Sequence, residues 1–216
     1  MPVKEKKNLP LEQRAYLFEV RAEQNDEGSI ITGRPIVYDS RTDLGWFDEI
    51  IEKGALDKAD LTDVRFLVNH DIKSIPLARS RRNNGNSTMT LSPDDKGMEI
   101  EVRLDTENNA EARALYSAVS RGDISGMSFM FSIDSYTWED LESDHPTRRI
   151  EAISSVVEVS AVTFPAYDAT EINARCEETL ENARLDLERA REERTKSLES
   201  DDLALEKAKF KFISNL

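Results

Sequence analysis

The stretch GDISGMSFMFSIDSYTW, Gly122 to Trp138, decides how the rest of the chain is read. From Met127 the residues Met127, Phe129, Phe131 and Ile133 fall on one face of an extended backbone, and Ser128, Met130 and Ser132 fall on the other. This period of two predicts a buried strand with the Ser128 hydroxyl turned away from the aromatic side. Gly122 and Gly126, just upstream, allow a sharp turn or a close backbone approach, as a cleft beside a nucleophile requires. A serine in a strand is commonplace, so a catalytic reading depends on a base supplied from elsewhere.

Working upstream, the period changes. Asn109 is positioned to cap a helix carrying Ala112, Leu115, Ala118 and Val119 on one stripe, with Gly122 as its stop. Before it, Thr88–Leu91 and Met98–Leu104 alternate around the turn residues 92–97, a hairpin signal. Strand candidates also run over Ala15–Ala22, Ser29–Tyr38, Trp46–Ile51 and Val64–His70, with Asn25 to Gly28 as turn chemistry between the first two. A short helix-like segment is expected around Ala55–Ala59. Downstream, Arg148–Phe164 returns to strand character and is expected as two pieces.

Composition limits the functions open to the chain. At 216 residues it holds one main domain with an appendage. A formal net charge of -14 argues against binding a phosphate backbone, so no nucleic-acid partner is expected. Cys176 is the only cysteine, which excludes an internal disulfide and a four-cysteine metal site and suits a reducing compartment. No apolar run reaches membrane-spanning length and the charged start lacks a hydrophobic segment, so neither a signal peptide nor an anchor is expected.

The chain has two histidines, His70 and His145, and a serine nucleophile needing an imidazole base must use one of them. His70 ends a strand candidate where it meets the polar loop Asp71–Ser74. His145 sits in the acidic segment Glu139–Pro146. Glu158, between Val157 and Val159, faces the side of Ser160 and Val162; it is either an outward strand carboxylate or the group that orients an imidazole. The loop Pro76–Asn86 carries Arg79, Arg81 and Arg82, either a solvated cluster or a docking surface for an acidic partner. After Thr170, Cys176, Leu180, Ala183, Leu187 and Ala190 recur at spacings of four and three, a heptad-like stripe for a paired or docked helix. Leu205, Ala208, Phe210 and Phe212 form a small apolar tip among lysines.

The blocks GRPIVYDS (Gly33–Ser40), LGWFDEIIEKGAL (Leu44–Leu56), VNHD (Val68–Asp71), GMSFMF (Gly126–Phe131) and EVSAVTFPAYDAT (Glu158–Thr170), in this order, resemble the tailed-bacteriophage prohead proteases. These serine peptidases mature capsids and are similar to herpesvirus assemblin. The resemblance implies Ser128 as nucleophile, His70 as general base and Glu158 as third member, with His145 as the rival because assemblins use a second histidine there. It also implies an oxyanion site at the backbone amides around Ala166 and Tyr167.

Together with the hairpins, the resemblance implies a mainly β fold with helices: an antiparallel β-barrel of the assemblin type, peripheral helices and a C-terminal helical extension. The expected organisation is a charged lead over 1–14, a protease domain over 15–170 and a helical extension over 171–216. The implied substrates and partners are scaffold and the scaffold-like extension of the major capsid protein, with self-cleavage, in the procapsid interior within the bacterial cytoplasm. Residues 176–216 are expected to bind scaffold or to self-associate. No cofactor or metal is expected, and no membrane partner. Two rivals stand beside this reading: a non-enzymatic assembly scaffold, and a metal-dependent hydrolase using His70 and Asp71, which two histidines without HExxH-like spacing support poorly.

Overall fold

The computed structural model describes residues 11–16, 20–25, 28–163 and 174–213. Its strands are β1 (Leu11–Tyr16), β2 (Arg21–Asn25), β3 (Gly28–Val37), β4 (Arg41–Asp43), β5 (Asp48–Ile51), β6 (Arg65–Val68), β7 (Ala78–Arg79), β8 (Met89–Asp94), β9 (Gly97–Leu104), β10 (Gly126–Glu139) and β11 (Thr147–Val162). The helices are α1 (Ala110–Arg121) and α2 (Ala174–Ile213).

The long strand β11 organises the larger sheet. One edge takes β10 antiparallel along most of its length. The other edge takes β5 beside its first residues and β6 beside its last, both in parallel. Strand β1 adds to the far side of β10, β4 to β5, and β7 to β6. The smaller sheet runs β2-β3-β9-β8, all antiparallel.

The expected mainly β class with helices is what forms. The expected mostly antiparallel barrel is corrected: the pairs are mostly antiparallel, with two parallel neighbours on β11, but the described ladders make two open sheets, neither of which closes on itself. Parallel pairing requires a crossover rather than a hairpin, so nothing local in the sequence announces it. Residues 148–162 also form one strand instead of two. Its pairing with β10 shifts register at several points, one of them where Val157 is extra opposite Met130 and Phe131.

The strand expected over Ala15–Ala22 is not one strand: residues up to Tyr16 belong to β1 of the larger sheet and those from Arg21 to β2 of the smaller. In β9, Met98, Ile100, Val102 and Leu104 are buried while Glu99, Glu101 and Arg103 face out. Gly97 closes the β8–β9 hairpin at φ 141°, where a Cβ would lie 2.0 Å from the Ile36 carbonyl oxygen, so no other residue fits. The Asn109 side chain accepts from the backbone N–H groups of Glu111 and Ala112, and Gly122 ends α1 at φ 78°. Helix α1 buries Ala112, Leu115 and Val119 in a core shared with Ile31 and Ile100 of the smaller sheet and Met127, Phe129 and Phe131 of β10. The segment around Ala55–Ala59 is a series of turns.

The first part of α2 uses its stripe within the chain. Ala183 and Leu187 are buried, the helix packs along β1, and Asp186 accepts a hydrogen bond from the Tyr136 hydroxyl at 2.8 Å. The apolar tip at Leu205, Ala208, Phe210 and Phe212, and the Cys176 side chain, lie outside the described side chains. No described helix is long and apolar enough to cross a membrane.

Candidate active site

Three strands bring the expected residues together. Ser128 on β10 pairs with Ser160 on β11, and Ser160 pairs in turn with Leu67 on β6, so one row across the sheet reaches from the serine to the strand that precedes His70. Glu158 lies two residues before Ser160 on β11, on the same face. The β6 ladder stops at Val68, and the next two residues, Asn69 and His70, both take left-handed backbone conformations, at φ 50° and 57°. Two such residues in a row are costly unless the surroundings hold them. Here Asn69 is held on the end of β11: its side chain accepts from Thr163 N–H at 2.9 Å and donates to Thr163 Oγ1 at 3.0 Å, and its own N–H donates to the Ala161 carbonyl. The turn sends the imidazole back over the sheet.

There, His70 Nε2 lies 2.5 Å from Ser128 Oγ, and His70 Nδ1 is hydrogen bonded to Glu158 Oε1. Glu158 is buried and its other oxygen, Oε2, accepts from the Ser160 hydroxyl at 2.6 Å. An ionised carboxylate only accepts, so it requires a proton on Nδ1 and leaves Nε2 as the basic nitrogen of the neutral ring. That is the tautomer a serine nucleophile needs.

The Ser128 hydroxyl also has a second acceptor, the Arg14 carbonyl on β1, at 2.6 Å. A hydroxyl has one proton to give. When the proton goes to Arg14, the approach of Nε2 is a hydrogen bond only if Nε2 is itself protonated; when Nε2 is bare, the hydroxyl turns to the imidazole. Ser128 is fully buried, and its one hydroxyl proton serves either the Arg14 carbonyl or a bare Nε2, not both at once.

His145, the rival third member, lies elsewhere. Its Nε2 is 3.2 Å from Asp48 Oδ1 and 3.7 Å from Asp43 Oδ1. These three residues have donor atoms close enough to share a cation, but Arg41 already donates to Asp48 at 2.5 Å. Burial alone would push the Asp48 carboxyl up; Arg41 and His145 outweigh it and hold it below its ordinary value. The expected oxyanion positions, Ala166 and Tyr167, lie outside the described residues. Arg79 of the basic loop is engaged by Asp63 at 2.5 Å.

One charged constellation escaped the sequence reading. Glu12 and Arg14 of β1, Glu49 of β5 and Arg148 of β11 are all buried and form a neutral quartet. Arg14 donates to Glu49 at 2.5 and 2.9 Å and to Glu12; Arg148 donates to Glu49 at 3.0 Å and to Glu12 at 2.6 Å. The Arg148 guanidinium also lies over the rings of Phe47, Tyr136 and Trp138 at 5.3 to 5.9 Å. Burial pushes the Glu49 carboxyl up, but the two guanidinium groups prevail and pull it down to about 2. The quartet fixes the side chain of the residue whose carbonyl meets Ser128. Glu12 and Arg14, in a segment read only as a charged lead, gave no sign of it.

Residues 17–184 match the caudovirus prohead serine protease family, and the chain belongs to that family. It is thereby a peptidase of capsid maturation. Among solved structures it is similar to the capsid assembly protease of bacteriophage T4, at 11% identity and a TM-score of 0.46, covering 74% of this chain and 100% of that one. No curated protein matches it.

Proposed function

We propose that the chain is a serine endopeptidase that cleaves scaffold, or the scaffold-like extension of the major capsid protein, inside the prohead, and that it also cleaves itself. Ser128 is the nucleophile, His70 the general base and Glu158 the group that orients it. The observation that carries this reading is the unbroken run of contacts from Ser128 Oγ through both nitrogens of His70 to Glu158.

A serine hydroxyl is far too weak an acid to attack an amide unaided. His70 Nε2 takes its proton as Oγ adds to the scissile carbonyl, and returns it to the leaving amine when the tetrahedral intermediate collapses. Glu158 holds Nδ1–H and stabilises the imidazolium formed between those steps. Water then repeats the sequence on the acyl-enzyme. The oxyanion is received by backbone amides around Ala166 and Tyr167, by analogy with assemblin. For His70 to act, the Ser128 hydroxyl turns from the Arg14 carbonyl to Nε2.

On this reading the two open sheets around one core are the counterpart of the assemblin barrel. The part of α2 beyond its docked turns binds scaffold or a second copy, which would package the enzyme with its substrate. The test is His70→Gln. A non-enzymatic scaffold tolerates loss of one imidazole, and its capsids mature normally. A peptidase of this mechanism assembles proheads whose subunits stay uncleaved.

A further inference from the structure

We propose that Ser160 is a positioning residue for the His70–Glu158 pair, its hydroxyl holding both the main chain of the histidine and the far oxygen of the carboxylate behind it. The proposal rests on the catalytic reading of Ser128, His70 and Glu158. Ser160 is fully buried, so its hydroxyl must find partners inside the protein. It donates to Glu158 Oε2 at 2.6 Å and accepts from the His70 backbone N–H at 3.1 Å. One side chain thus holds the far oxygen of the carboxylate and the main chain of the histidine that the near oxygen engages.

Both contacts answer a need created by the fold. The β6–β11 ladder ends at the pairing of Val68 with Ala161, and the left-handed turn at Asn69 and His70 takes the His70 N–H out of the ladder. Without Ser160 Oγ that N–H would lose its acceptor. Glu158 is equally dependent: with Oε1 on His70, Oε2 would be a buried carboxylate oxygen lacking this donor. The position is also central in the sheet, since Ser160 pairs with Ser128 on one side and Leu67 on the other. Its hydroxyl therefore shares a face with the Ser128 side chain and reaches the main chain of His70.

The role has a chemical consequence beyond packing. A donor on Oε2 draws charge from the carboxylate, so removing it makes Glu158 pull harder on the Nδ1 proton while leaving the turn less firmly held. A residue of purely structural importance would change stability alone.

The experiment uses the full chain as wild type, Ser160→Ala, Ser160→Thr and Ser128→Ala. Two quantities are read: the rate of capsid-subunit processing in proheads, and the position of the low-field proton resonance of the His70 Nδ1–H in the isolated chain. His70→Gln identifies that resonance. Ser160→Ala is expected to slow processing about tenfold, as loss of a hydrogen bond to a charged group implies. It should also displace the low-field resonance, and Ser160→Thr should restore both the processing rate and the resonance. Wild-type processing with an unmoved resonance in Ser160→Ala, or a folded Ser160→Thr as impaired as Ser160→Ala, overturns the proposal. If Ser160→Ala does not fold, Ser160→Cys, close in volume and a much weaker donor, is judged by the same criteria. Normal processing by Ser128→Ala would instead sink the underlying catalytic reading, whatever Ser160 does.

Discussion

The imidazole Nε2 of His70 lies 2.5 Å from the hydroxyl of Ser128, although 58 positions separate the two residues along the chain. The proximity is built by the sheet, with β11 lying between the strand that carries the serine and the strand that delivers the histidine. Glu158, on that intervening strand, is within reach of the imidazole because it stands two residues from the one paired with Ser128.

Glu158→Gln tests the third member. An amide side chain can donate to Nδ1, which permits the wrong tautomer with Nε2 protonated. Processing of capsid subunits should slow by about 10⁴-fold, the scale of losses when the orienting carboxylate of a serine triad becomes an amide. The rate is followed by gel or mass spectrometry on timed prohead samples. A loss under threefold would remove Glu158 from the mechanism.

His145→Gln tests the rival. Its contacts are to Asp48 and Asp43 at a partly exposed site, where ion pairs contribute about 0 to 1 kcal/mol. Processing by this variant should stay within about twofold of wild type, since such a change amounts to a few tenths of a kcal/mol. Abolished processing with a normal unfolding transition would reinstate His145 as the third member.

Acid stability should depend on the buried quartet. The Glu49 carboxyl has an ordinary value of 4.5 and is held down to about 2 in the fold. Because the folded value is the lower one, its contribution is fully present above about pH 5 and is lost as pH falls toward 2. Urea unfolding across that window should show stability declining with acid. Glu49→Gln should flatten the decline and lower stability near neutrality by about 3 kcal/mol or more, because Arg14 and Arg148 lose a buried counter-charge. An unchanged pH dependence would show that the quartet does not govern acid unfolding.

What the sequence disclosed follows the range of the interaction concerned. Asn109, Gly122 and the alternation in Met98–Leu104 are local devices, acting within a turn of helix or one hairpin, and each was readable as written. The face of Glu158 was readable too, because alternation along one strand puts it beside Ser160. The pairings of β11 with β5 and β6 were not, since parallel neighbours are joined by crossovers that leave no turn signature. The left-handed turn at Asn69 and His70 was hidden for another reason: neither residue is glycine, and Thr163, 94 positions away from Asn69, supplies part of the restraint. Glu12 and Arg14 read only as part of a charged lead because their partners, Glu49 and Arg148, come from distant strands.

The most direct measurement of the central claim is the intact mass of capsid subunits in proheads assembled with full-length Ser128→Ala, with circular dichroism to establish that the variant folds. The account predicts subunits at their full uncleaved mass, since removing one oxygen atom takes away the nucleophile and leaves His70 and Glu158 in place. Subunits trimmed to the mature mass at the wild-type rate would contradict it.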